Sequence, residues 1–144
     1  MLGIFTADKN DLDAIVAMEQ EIFSDGMSYQ TLLDSLQSDL FLVLKDSDRV
    51  CGYFLGHCLL DDMEIYRIAV SADRRRCGYG NMLLEEAKRR AETQGVTRCF
   101  LEVRESNVAA RKLYGTFGFQ EIDRRRRFYR LPDEDAIVMM IQWE

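Results

Sequence analysis

The sequence predicts a mixed α+β domain, a six- or seven-stranded sheet flanked by four helices. Short apolar runs with strand preference alternate with segments of helical periodicity. They fall in the order strand, two helices, three strands, helix, strand, helix, two strands. The three central strands are joined by turns short enough for antiparallel hairpins. Parallel crossovers are expected on either side of the long helix that follows them.

Each element has a local reason. "MLGIFTA" is an apolar run fit for a first strand. Asp11 is placed to cap "DLDAIVAMEQEIF", where Leu12, Ile15, Val16 and Ile22 keep helical spacing and Glu19 interrupts it. Gly26 separates this segment from "SYQTLLDSL", with Ser28 as its cap. "LFLVLKD", "RVCGYFLGHCLL" and "MEIYRIAV" read as strands, punctuated by Asp46-Ser47-Asp48 and Asp61-Asp62. After Ser71 the period changes. Gly80, Leu83, Leu84, Ala87 and Ala91 share one stripe, Lys88, Arg89 and Arg90 suit the helix end, and Gly95 suits termination. "TRCFLEV" is the next strand, and "SNVAARKLYGTFG" a short helix with an Asn107 cap and a glycine exit. "FGFQEID" and "AIVMMIQW" are the last strands, joined by a polar, arginine-rich stretch.

Composition narrows the function classes. The chain of 144 residues suits one domain over 1–144, and 47% hydrophobic residues with a single proline exclude general disorder. No apolar run is long enough to cross a membrane, and Asp8 to Asp11 interrupt any leader-like start, so a cytoplasmic location is expected. Cys51, Cys58, Cys77 and Cys99 form no CxxC pair and read as free thiols. His57 beside Cys58 lacks companion ligands, so no metal is expected. A net charge of -6 argues against a general nucleic-acid binder. The charge is uneven: residues 1–48 hold ten acidic and two basic side chains, the remainder fifteen and seventeen. Met63, Met82, Met139, Met140 and Trp143 read as packing residues.

The chemistry-bearing stretch is "SADRRRCGYGNMLLEEAKRR". A helix start offers unpaired amides and the positive end of a dipole, and Gly78 and Gly80 let backbone approach an anion closely. Arg75 and Arg76 add charge, while Arg74 is expected in solvent. Thus Arg75, Arg76, Cys77, Gly78, Tyr79 and Gly80 can hold a diphosphate. The pattern lacks the Gly-Lys-Ser/Thr of a P-loop and the GxGxxG of a dinucleotide fingerprint. A solvated arginine run before a tight turn fits the same residues. Glu102 sits in the apolar run "CFLEVR", where a carboxylate is costly unless solvated, paired with Arg104, or used. Tyr114 can pack on the sheet and still present its hydroxyl as a proton donor.

"RRCGYG" resembles the acyl-coenzyme A loop of the GCN5-related N-acetyltransferase superfamily, usually Arg/Gln-x-x-Gly-x-Gly/Ala. "LEVRESNVAARKLYGTFGF" and "EDAIVMM" are similar to the ribosomal-protein-alanine N-acetyltransferase family within it. Arg75 stands where that family often has Gln, and Cys77 where Arg is common. The resemblance implies a splayed central strand pair and acetyl-CoA as co-substrate. It implies an acceptor that is the N-terminal alanine of ribosomal protein S18. Glu102 would be the base and Tyr114 the acid. The backbones of Ile68 and Val70 would meet the pantetheine arm, and Asn107 the cofactor. Lys112 would reach the outer phosphate or stay solvated, and Tyr129 would shape the peptide pocket or remain a loop aromatic. Arg124 to Arg127 would attract acidic substrate residues or keep a hairpin soluble. A monomer or weak dimer is expected. The same donor loop would serve transfer to small amines or lysine side chains, or a regulatory domain that binds acyl-CoA without transfer.

Overall fold

The computed structural model describes residues 1–143. Seven strands form one sheet: β1 (Leu2–Thr6), β2 (Leu40–Asp46), β3 (Arg49–Leu59), β4 (Asp62–Val70), β5 (Arg98–Arg104), β6 (Gln120–Tyr129) and β7 (Glu134–Gln142). Their spatial order is β1-β2-β3-β4-β5-β7-β6. The four helices are α1 (Leu12–Ile22), α2 (Tyr29–Ser38), α3 (Tyr79–Thr93) and α4 (Val108–Phe117).

Strand alternation divides the core into two layers. Phe41, Val43, Tyr53 and Leu55 point toward α1 and α2, where Leu12, Ile15 and Leu32 meet them. Leu42, Leu44, Phe54, Met63 and Leu101 point the other way, toward Leu83, Leu84, Ala87 and Ala91 of α3. Leu83 is fully buried, worth about 1.5–3 kcal/mol of apolar transfer. The α3 stripe therefore packs as its spacing requires. Gly118 ends α4 in the left-handed region, at φ 118°.

Four expectations need correcting. The Asp11 side chain does not cap α1. Asp8 caps a preceding 3-10 turn over Lys9–Asp11, and Asp11 accepts the Asp8 N–H in return and pairs with Lys45 at 2.7 Å. The arginine-rich stretch is not a connection but the body of β6, the edge strand, where charge discourages pairing with another sheet. Among the described residues only one pair of neighbouring strands is parallel, β4 with β5 across α3, because β7 inserts between β5 and β6. Arg74 is not free in solvent: it donates to Asp46 at 2.9 Å and lies 3.4 Å from the Tyr79 hydroxyl.

Candidate active site

The sheet parts at its parallel seam. Pairing of β4 with β5 runs from Asp62↔Arg98 to Ile65↔Leu101 and then stops, although both strands continue. The register of β4 on β3 slips at this level, with Leu55↔Arg67 followed by Gly56↔Ile65. Tyr66 is the extra residue. Such a bulge bends and twists its strand, and here it falls where β4 stops pairing with β5.

Two cavities lie at this gap, and a third lies beside the part of the seam that remains paired. A groove of about 480 Å³ is lined by Phe23, Ile68, Val70, Arg75, Asn107 and Ala109. It adjoins a narrow cavity of about 90 Å³ bounded by Arg67, Ile68, Glu102, Asn107, Tyr114 and Tyr129. Beyond lies an open basin of about 540 Å³ lined by His57, Glu64, Phe100, Glu102, Arg125 and Val138. Phe23, Ile68 and Asn107 belong to both the groove and the narrow cavity, and Glu102 to both the narrow cavity and the basin. The narrow cavity thus links groove to basin, and it opens into the basin at one carboxylate.

At the groove's outer end lies the arginine-glycine loop. Arg76 has φ 63° and Gly78 φ 80°, both left-handed. At Gly78, the N-cap of α3, an added Cβ would meet no atom within 4 Å, so glycine is required there by conformation rather than space. The Gly78 cap supplies no side-chain acceptor to this helix. Its first backbone bond is Met82 N–H to Gly78 O at 3.0 Å, leaving the preceding amides for an outside acceptor. Arg75, Arg76 and Cys77 are exposed, Tyr79 and Gly80 half-buried. Arg75 Nε also donates to Val70 O at 3.4 Å, tying the loop to the end of β4. Gly80 lies against Leu113 of α4, where an added Cβ would come within 3.0 Å of Cδ2.

Glu102 reaches this point from one face of the sheet and Tyr114 from the other. On β5, Cys99, Leu101 and Val103 enter the α3 layer, so Phe100, Glu102 and Arg104 face the α1 side. Glu102 is only 18% exposed, and its nearest cation is Arg125, 3.8 Å away. Burial raises its carboxyl above the ordinary 4.5, Arg125 opposing and Glu64 adding. The alternative of a pairing with Arg104 is not met: Arg104 is engaged by Glu134 at 3.3 Å. Tyr114 is 5% exposed and packs edge-on against Phe119, centroids 5.6 Å apart. Burial pushes its phenol well above 10.0, which keeps it a proton donor at neutral pH. Tyr129 joins them in the narrow cavity. Its phenol is pushed up to about 12, mainly by burial, then by Glu102, with Arg67 and Arg104 opposing. Asn107 caps α4 through Ala110 N–H at 3.1 Å and also lines the groove. Lys112 lies on the exposed side of α4 and lines none of these cavities.

Two further arginines stand here that sequence reasoning did not single out. Arg67 lines the narrow cavity and donates through Nε to both oxygens of Glu19, at 3.2 Å each. Arg104 donates to the Arg130 and Pro132 carbonyls at 2.8 and 2.9 Å and lies over the Tyr129 ring, 4.5 Å from its centroid. The signal for Arg67 was present in principle. A cation inside "MEIYRIAV" and an anion inside the apolar stripe of α1 are each costly to bury alone, and two such anomalies of opposite sign are expected to pair. Among the described residues no His, Cys, Asp and Glu cluster could hold a metal ion, and all four cysteines are free.

A mixed sheet opened at its parallel seam, with an anion-seeking helix start at one end of the opening, defines the architecture of an acetyltransferase. The sequence profile of the acetyltransferase (GNAT) family matches residues 12–119, and the chain belongs to that family. More narrowly, it is 38% identical over 135 residues to the ribosomal protein bS18-alanine N-acetyltransferase of Salmonella typhimurium, covering 91% of this chain and 90% of that protein. To the Escherichia coli K12 protein of the same name it is 34% identical over 145 residues, covering 98% and 97%. The crystal structure of the ribosomal-protein-S18-alanine N-acetyltransferase from Escherichia coli matches with a TM-score of 0.90 at 33% identity, covering 99% of this chain and 94% of that one. Ard1 from Thermoplasma volcanium shares the fold, with a TM-score of 0.94 at 21% identity over 99% and 98% of the two chains.

Proposed function

We propose that this chain transfers the acetyl group of acetyl-CoA to the α-amine of an N-terminal alanine, that of ribosomal protein S18, by direct attack. The observation that carries this reading is the link from groove to basin through the narrow cavity, which shares Phe23, Ile68 and Asn107 with the groove and Glu102 with the basin. Holding donor and acceptor against one another removes any need for an acyl-enzyme intermediate.

Acetyl-CoA supplies the activated thioester. The amides at the start of α3, with Arg75, Arg76, Cys77, Gly78, Tyr79 and Gly80, hold the diphosphate. The backbones of Ile68 and Val70, beyond the last β4–β5 pair, hydrogen-bond the pantetheine amides as a further strand would. Asn107 contacts the arm where groove and narrow cavity join, whereas Lys112, exposed on α4 outside these cavities, stays solvated. Tyr129 shapes the pocket for the peptide N-terminus. The neutral α-amine attacks the thioester carbon, and Glu102, as carboxylate, takes the proton the nitrogen sheds as the new bond forms, directly or through one water. Tyr114, held neutral by burial, gives its proton to the sulfur as the carbon–sulfur bond breaks. The pairing of similarly named relatives over nearly their whole length supports the choice of an N-terminal alanine.

The test is mass mapping of transfer to a peptide carrying the S18 N-terminus, beside its pre-blocked form, a lysine-bearing control and small amines. Acetyl on the alanine α-amine, and none on the blocked peptide, is expected. Transfer confined to lysine side chains or small amines would overturn the acceptor assignment while leaving the donor site standing.

A further inference from the structure

We propose that Arg67 is a positioning residue: clamped by the buried Glu19, it holds the Phe23–Met27 segment against the reaction cavity and so sets the fit of the acceptor amine. This rests on the α-amine acceptor proposed for the site. It adds a specific device to it, built from residues that the donor motif does not include.

The geometry is a three-way clamp. Glu19 is wholly buried and Arg67 is 13% exposed. Nε of Arg67 faces both Glu19 oxygens, while Nη2 donates to the Asp25 carbonyl at 3.0 Å and to its carboxylate at 3.2 Å. The guanidinium also lies over the Phe23 ring, 3.9 Å from its centroid. Glu19 accepts the Met27 N–H at 2.8 Å and the Tyr53 hydroxyl. The segment between α1 and α2 contains no regular hydrogen-bonded element. One carboxylate and one guanidinium therefore hold both of its ends. Phe23 and Asp25, once held, form a wall of the cavity that contains Glu102, Tyr114 and Tyr129.

The fork of a guanidinium is what makes this possible. Its planar donors point in fixed directions and its face can stack on an aromatic ring. A lysine would bring charge to the same place but could not serve Glu19, the Asp25 backbone and Phe23 together. Glu19 cannot be dismissed as an ion pair of convenience either. A carboxylate with no exposure needs every one of its partners, and all three tie it to the cavity wall or to the sheet. The positive charge so placed also opposes the effect of burial on both Tyr114 and Tyr129.

The experiment compares the wild type with Arg67→Lys, with Asp25→Ala, and with the double change Glu19→Gln and Arg67→Gln. Asp25→Ala leaves the buried pair intact, and the double change removes both charges together, so these report if the single arginine change fails to fold. Steady-state transfer to the S18 peptide, acetyl-CoA affinity by titration, and hydrogen exchange at the Met27 amide are measured on each. Arg67→Lys should raise the peptide KM about tenfold or more with acetyl-CoA affinity changed less than about twofold. The double change should do the same and speed exchange at Met27, and Asp25→Ala should raise the peptide KM by a smaller factor. Unaltered peptide KM in all three, or full rescue by lysine, would overturn the clamp. So would losses of donor affinity that parallel the losses in peptide KM. If wild-type protein transfers acetyl to no α-amine, the acceptor reading itself has failed and the clamp falls with it. If wild type transfers and the variants match it, only the clamp has failed.

Discussion

The donor end and the acceptor end of this cleft are built by different means. The proposed donor end is one contiguous stretch, Ser71 to Gly80, which presents main-chain amides at a helix start. The proposed acceptor end is assembled from Glu19, Asp25, Arg67, Glu102, Arg104 and Tyr129, brought together from one helix, the segment that follows it and three strands. Backbone groups are indifferent to the side chains that bear them, so a loop that binds through its amides does not depend on the identity of Arg75 or Cys77. A wall of interlocked charges is not tolerant in this way. Glu19, wholly buried, is satisfied only by specific partners, and removing Arg67 strands its charge in a place that water does not reach. The difference places conformational demands on one end and side-chain demands on the other.

The sharpest way to separate the two ends is at Glu102, where they meet. Glu102→Gln keeps size and shape but removes the proton acceptor. It should lower kcat by about 10²–10³-fold while acetyl-CoA affinity, read by titration, stays within about twofold. Tyr114→Phe should follow with a loss of about tenfold to 10²-fold in kcat, again at unchanged donor affinity. A parallel loss of donor binding in both would merge the two ends into one site and remove Glu102 as base and Tyr114 as acid. The donor end is challenged by Gly78→Ala. At φ 80° a Cβ costs about 1–2 kcal/mol, with no clash to relieve. Donor affinity should fall about tenfold, the peptide KM should not move, and titration against peptide kinetics checks both.

The smallest effect concerns pH. Glu102 is raised by burial and partly restrained by Arg125. Activity needs its ionised form, so kcat/KM is lost as pH falls through a carboxyl value above 4.5. Arg125→Gln removes the opposing cation and should move that acidic limb upward, by less than about one pH unit at a separation of 3.8 Å. A downward shift in the pH–rate profile would contradict the sign.

Much of this was legible in the amino-acid order because much of it is local. The stripe Leu83, Leu84, Ala87 and Ala91, the caps Ser28 and Asn107, and the glycine exits are decided by neighbours a few residues away. Glu102 and Tyr114 stood out because each was the wrong kind of residue, or the right kind in a telling place, within a short run. What escaped was long-range. Glu19 looked like a break in an amphipathic stripe until Arg67 and Tyr53 came from other elements to satisfy it. Arg74 looked solvated until β2 brought Asp46 beside it. The run Arg124 to Arg127 looked like a loop because its charge outweighs its strand preference. Only the sheet edge, which gains from charge, gives it an extended role. The opening between β4 and β5 was implied by the family resemblance alone; its local mark, the extra residue at Tyr66, is visible only in the strand register.

The affinity of a single conjugate tests the meeting of the two ends most directly: coenzyme A joined through an acetyl bridge to the alanine amine of an S18 N-terminal peptide. If groove and basin are continuous through the narrow cavity, the conjugate should bind at least about 10²-fold more tightly than coenzyme A or the peptide alone. Binding no tighter than coenzyme A would mean that the peptide half finds no place beside Glu102, and the account would be wrong at its centre.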